Sequence, residues 1–155
     1  VQSRQHCFRS SFVISSRIAC NQRSLSGPVV ASFSETDAMG IVHHSRYLPY
    51  MEEARVEYLR HIGHPYHEIR DAGIEMAVLE AFLQYRLPLE FDDVVNVHVA
   101  MGTITRATFQ MTYLLTVDGQ IRATGVTAHG ALTPEGNATR LPDWFRDFTP
   151  PARAT

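Results

Sequence analysis

One stretch of helical period, followed by four stretches of strict alternation, limits the folds open to this chain more than any other feature. Ile74 to Leu87 alternates Ile74, Met76, Val78, Glu80 and Phe82 against Ala77, Leu79, Ala81, Leu83 and Tyr85. Val94 to Thr103 places Val95, Val97, Val99 and Met101 on one face, and Ala107 to Val117 does the same with Ala107, Phe109, Met111, Tyr113, Leu115 and Val117. Ile121 to Thr133 is the fourth, and Asp118-Gly119 before it is a two-residue hairpin signal. Alternation of this length predicts half-buried antiparallel strands. Upstream, Leu48, Met51, Arg55, Tyr58, Leu59 and Ile62 recur at helical spacing, with Tyr47, Tyr50 and Ala54 widening the apolar face. A helix from about Ser45 to His61 follows, with Ser45 as N-cap, Pro49 tolerated in the first turns, and Gly63 and Pro65 as its end. Pro28 to Ser34 predicts a first strand, centred on Val29 to Phe33, and Glu35 to Gly40 a turn. Leu141 to Phe145 reads as a short capping helix after a turn at Pro134–Asn137. The order is strand, long helix, four strands: an α+β chain with one helix packed on an antiparallel sheet.

With 155 residues this is one domain with enough chain for a core. No apolar run approaches the roughly 18 residues needed to cross a bilayer. The net charge of −2 hides an asymmetry. Residues 1–30 carry Arg4, Arg9, Arg17 and Arg23 and no acid, so the rest holds ten arginines against all sixteen acids, a formal −6. An acidic body argues against nucleic acid as a partner and suits a cytoplasmic enzyme. Lysine is absent, which excludes Schiff-base and P-loop lysine chemistry. Cys7 and Cys20 both fall in the N-terminal arm, leaving the body without a disulfide or a thiolate nucleophile.

That arm, residues 1–28, is rich in Ser and Arg and has no sustained period. Two expectations stand for it. It is a disordered or non-native extension, since the first methionine is Met39; or it is an organellar targeting segment, whose composition it shares. The domain is placed at 29–148, with a loose tail at 149–155.

Chemistry concentrates in Phe33-Ser-Glu-Thr-Asp-Ala-Met-Gly-Ile-Val-His-His-Ser-Arg-Tyr47. A carboxylate, Asp37, sits in a glycine-containing turn that runs into an aromatic-rich helix. A carboxylate facing a helix N-terminus can activate water beside an anion site. Aspartate is also an ordinary turn-former. Glu52, three residues before Arg55, reads first as an i, i+3 ion pair.

Asp37, Gly40, Ile41, Val42, His43, His44 and Tyr47, followed by Glu52-x-Ala54-Arg55, resemble the hotdog-fold acyl-CoA thioesterases, in particular the 4-hydroxybenzoyl-CoA thioesterase group and the short thioesterases linked to the Tol-Pal system. Tyr85-Arg-Leu-Pro-Leu-Glu-Phe-Asp-Asp-Val94 is similar to the family's link between its second and third strands, and the likeness spans about residues 31–133. The resemblance implies a five-stranded antiparallel sheet wrapped around one long central helix. It implies a homodimer or homotetramer joined edge to edge, with active sites at the dimer interface. It also implies hydrolysis of acyl-CoA to a free acid and CoA, with no metal or other cofactor.

On that resemblance Asp37 is the catalytic carboxylate, either a general base on water or a nucleophile forming a mixed anhydride. His44 supplies a backbone N–H to the thioester carbonyl, and its imidazole is a further candidate. Gly40 lets the backbone approach the substrate. Ile41, Val42 and His43 line the pocket, and Tyr47 is either pocket wall or helix–sheet packing. Arg106 and Thr105 are candidates for the CoA nucleotide, a guanidinium being suited to phosphate.

Other readings fit less well. Asp37, His43, His44 and Glu52, or His61, His64 and His67, contain metal-ligand types, but Gly63 and Pro65 break the triplet's register and no His-Glu-x-x-His is present. A hotdog hydratase pairs its Asp with a His five residues on, where this chain has Val42. A non-catalytic acyl-CoA or acyl-carrier binder, a pure interaction subunit, and a thioesterase acting on carrier-protein thioesters remain alternatives. The acyl group is not encoded in any motif.

Overall fold

The computed structural model describes residues 24–148. The arm up to residue 23, with both cysteines, and the tail from 149 lie outside the described residues. Five strands form one antiparallel sheet in the order β1-β3-β4-β5-β2: β1 Ser24–Val30, β2 Glu75–Tyr85, β3 Val94–Ile104, β4 Thr108–Val117 and β5 Gln120–Leu132. The long helix α1, Tyr47–His61, packs against β1 and β3 on one face of the sheet. A six-residue helix α2, Tyr66–Asp71, follows it. This is the α+β hotdog arrangement.

The alternating segments behave as their pattern demands. Val95, Val97, Val99, Phe109, Met111, Tyr113, Leu115 and Ala123 turn inward, and Tyr50, Met51, Ala54, Tyr58 and Leu59 of α1 meet them. Each fully buried aliphatic side chain of this kind contributes about 1.5–3 kcal/mol. The β4–β5 hairpin turns on Asp118 (φ 49°) and Gly119 (φ 77°), both left-handed as a type I′ turn requires. Gly63, at φ 85°, ends α1 with its N–H on the Arg60 carbonyl at 3.1 Å.

Four expectations change. The first strand is Ser24–Val30, not Pro28–Ser34, so residues 24–27 belong to the sheet. Pro28 falls inside the strand without harm, because β1 is an edge strand, where a missing N–H is tolerated. Leu25 and Val29 are its inward residues, and β1 pairs with β3 from Ser24↔Ala100 to Val30↔Val94. Residues 33–35 form a 3₁₀ turn instead, closed by a capping box: Ser34 N–H reaches Ser32 Oγ at 3.4 Å and Ser32 N–H reaches Glu35 Oε2 at 2.9 Å. Second, Ser45 is not the N-cap. A 3₁₀ turn, His44–Arg46, precedes α1, and His43 Nδ1 accepts the Ser45 N–H at 3.3 Å.

Third, Leu48 is 42% exposed rather than on the buried face. Fourth, β2 is not half-buried: Val78 is 57% and Phe82 64% exposed, on opposite faces of the strand. β2 is the edge strand farthest from β1 and β3, on which α1 mainly packs, so most of its length has no covering layer, while Tyr85 at its end meets Tyr47 of α1. The capping helix near the C-terminus is a 3₁₀ segment, Asp143–Phe148, with Phe145 buried against Phe109.

Candidate active site

Local backbone pairing builds the loop that carries Asp37. Bridges Thr36↔Val42 and Ile41↔Glu90 hold its ends, and Asp37 N–H donates to the Ile41 carbonyl at 2.9 Å. Val42 N–H reaches Leu89 O at 2.7 Å, tying the loop to the segment after β2. Gly40 takes φ 77°, which the reversal needs and an L side chain resists. Within the loop, Asp37 Oδ1 accepts the Met39 N–H at 2.8 Å. Among the described residues nothing donates to Oδ2. One oxygen holds the turn and the other is open.

A latch fixes this loop to the helix. The carboxylate of Glu35, two residues before Asp37, accepts from Tyr50 Oη at 2.5 Å, Ser32 N at 2.9 Å and Arg46 Nη2 at 3.0 Å. Burial alone pushes Glu35 up. The bonds from Tyr50, Ser32 and Arg46, with the Arg46 charge, outweigh it and hold the group below its usual value. The Tyr50 phenol moves strongly the other way, through burial and its bond to Glu35.

The result is a cavity of about 390 Å³ that brings together Asp37, Ile41, Val42, His44 and Tyr47 with Met39 and residues 85–88. The first N–H groups of a helical turn have no intrahelical acceptor, so the His44 amide, opening the 3₁₀ turn, is an available donor. Tyr47 is both wall and packing: 3% exposed, it lines the cavity and its hydroxyl accepts the Leu89 N–H at 3.3 Å. Burial raises its pKa.

The remaining site candidates lie elsewhere. His43 caps the turn, its ring 4.0 Å from that of His44, and is not in the cavity wall. Gly40 shapes the turn behind the wall. Glu52 is an exposed helix carboxylate 3.6 Å from Arg55 Nη2, the i, i+3 pair its spacing suggests. Thr105 closes the β3–β4 turn, accepting Thr108 N–H at 3.0 Å. Arg106 borders a second cavity, about 280 Å³, with Arg140, Arg146, Leu141 and Phe145. Leu141 N–H on the Arg106 carbonyl at 3.0 Å joins its two sides. Sequence reasoning did not single out Tyr85, Glu35 or Arg140. The Ser32-x-x-Glu35 capping-box pattern was the one available signal.

Residues 31–148 match the family described as the Thioesterase-like superfamily. A putative esterase of Aquifex aeolicus is 42% identical over 110 residues, 71% of this chain and 85% of that protein. The acyl-CoA thioesterase YbgC of Haemophilus influenzae is 31% identical over 82 residues, 52% of this chain and 60% of that protein. The solved structure of a gentisyl-coenzyme A thioesterase superimposes with a TM-score of 0.72 at 25% identity, covering 80% of this chain and 99% of that one. The chain belongs to the Thioesterase-like superfamily and is a thioester hydrolase of the hotdog fold.

Proposed function

We propose that this protein hydrolyses acyl-CoA to a carboxylic acid and CoA, with Asp37 as the reacting carboxylate. One observation carries the reading: a carboxylate with an open oxygen and the N-terminal turn of α1 line the same cavity. The His44 amide, at the positive end of the helix, receives the developing oxyanion, a donor typically contributing about 10²–10³ in rate. Asp37 either takes a proton from water as the water oxygen bonds to the carbonyl carbon, or attacks that carbon itself to give an anhydride that water then opens. Either way the C–S bond breaks, CoA leaves as the thiol and one water is consumed. The names of similar proteins, an acyl-CoA thioesterase and a gentisyl-coenzyme A thioesterase, support a CoA ester as substrate.

The position of Arg106 supports an active site shared between two copies. Tyr85 pairs with Ala123 and Ala123 with Leu115, whereas Thr108, beside Arg106, pairs with Gly130. The cavity at Asp37 and the one at Arg106 therefore lie about 24 Å apart along the strands of one protomer, seven residues at about 3.4 Å each. Joining two β2 edges antiparallel about their midpoint sets Tyr85 opposite the start of the second β2. The second copy's Arg106 then lies only three strand spacings away, about 14 Å. The exposed, apolar edge of β2 suits that joint. Arg106, with Arg140 beside it and Arg146 paired to Asp143 at the rim, then takes the phosphates of the nucleotide. The test is the release of free thiol by the purified protein from short, long and aromatic acyl-CoAs. Absence of thiol from all of them contradicts the reading.

A further inference from the structure

We propose that Tyr85 is a positioning residue that sets the geometry of the His44 turn, an inference that rests on the thioesterase reading above. Tyr85 ends an edge strand and is 48% exposed, a place where a phenol ordinarily keeps its hydroxyl in water. Instead the hydroxyl crosses to the helix and donates to the His44 carbonyl at 3.0 Å. Its ring stands edge-on to Tyr47, centroids 5.0 Å apart at 89°. Tyr47 is itself fixed by burial and by its bond from Leu89 N–H.

The His44 carbonyl and the Ser45 N–H are parts of one rigid peptide plane. Tyr85 holds the carbonyl side of that plane, and His43 Nδ1 holds the N–H side at 3.3 Å. The plane before it is held through the His43 carbonyl, which accepts the Arg46 N–H at 2.9 Å. Both planes flanking the His44 Cα are therefore pinned. The amide left to meet a substrate, the N–H of His44, has its direction set by these contacts. Of these pins, Tyr85 alone comes from outside the loop and helix, from the end of β2, where it lines the same cavity. The relation makes the donor's aim depend on how the edge strand sits, and so on whatever pairs with that edge.

Tyr85→Phe keeps the ring and its packing on Tyr47 and removes only the hydroxyl. With acyl-CoA as substrate, kcat falls about tenfold, a fraction of what deleting an oxyanion donor costs. KM stays within about twofold and the melting temperature falls by only a few degrees, because one neutral hydrogen bond at a half-exposed residue adds little to stability. Amide hydrogen exchange across residues 43–46 speeds up. An unchanged kcat overturns the proposal, as does a lowered melting temperature with normal kcat measured below it. A KM raised as much as kcat is lowered also overturns it, since the hydroxyl then touches substrate. Wild-type protein that releases no thiol from any acyl-CoA contradicts the thioesterase reading itself. Activity that is lost in Asp37→Asn but normal in Tyr85→Phe removes only the clamp.

Discussion

The phenol of Tyr50, on the buried face of α1, lies 2.5 Å from Oε2 of Glu35, two residues before the candidate catalytic carboxylate. That contact connects the core to the chemistry: the helix that fills the sheet also holds the loop that carries Asp37. Glu35→Ala leaves a buried phenol and Arg46 without their acceptor. Hydrogen bonds to a charged group of this kind are worth about 1.5–3 kcal/mol. The variant is expected to lose about 2 kcal/mol in chemical denaturation and to lower kcat by about tenfold or more, since small displacements of a reacting group are costly.

Stability should fall as pH is lowered, through two successive groups. His129 is 1% exposed and its Nε2 lies 2.7 Å from Thr127 Oγ1. Burial, and secondarily the Arg55 charge, push it from 6.5 down to about 4. Above pH 6.5 it is neutral in both folded and unfolded chains. Between 6.5 and about 4 only the unfolded chain takes the proton, and stability drops. Below 4.5 the depressed Glu35 carboxyl adds a second loss, present because its folded pKa lies under the unfolded value. His129→Gln, which keeps a side-chain partner for Thr127 but does not titrate, is expected to flatten the melting-temperature profile between pH 6.5 and 4 and leave the acidic limb in place.

Arg106→Ala is expected to raise KM for CoA esters about tenfold while leaving small thioesters without the nucleotide unaffected, since about 1.4 kcal/mol of phosphate contact equals a factor of ten. Equal effects on both substrates would remove Arg106 from the nucleotide site. Arg140→Ala shares the cavity and should move in the same direction.

Phe82→Glu places a charge on the exposed edge strand without disturbing the core, Phe82 being 64% exposed. If two β2 edges join, sedimentation should show the mass halve, with loss of acyl-CoA turnover. An unchanged mass places the oligomer contact elsewhere.

The strands and the long helix were readable because each has one wet and one dry face, and period reports that directly. Val95, Val97 and Val99 alternate in the sequence and are 0%, 0% and 1% exposed. β2 alternates as well, but period cannot say whether a covering layer exists, and α1 packs mainly on β1 and β3, at the opposite edge of the sheet. The start of β1 went unread because Ser24 to Gly27 share the Ser-rich, aperiodic composition of the arm, and their pairing with β3 is a tertiary fact. Asp37, His44 and Tyr47 stood out as a motif and do converge on one cavity. His43 looked like a wall residue, yet its ring is spent on capping Ser45. Tyr85 was invisible as a site residue, because its contact with His44 spans forty-one positions and depends on how the edge strand meets the helix.

Asp37→Asn tests the central claim most directly. The amide oxygen can still accept the Met39 N–H, so the turn survives the change. Thiol release from a saturating acyl-CoA that wild type hydrolyses is expected to fall by about 10²-fold or more in kcat, with the fold and melting temperature intact. Turnover close to wild type would contradict the assignment of Asp37 as base or nucleophile.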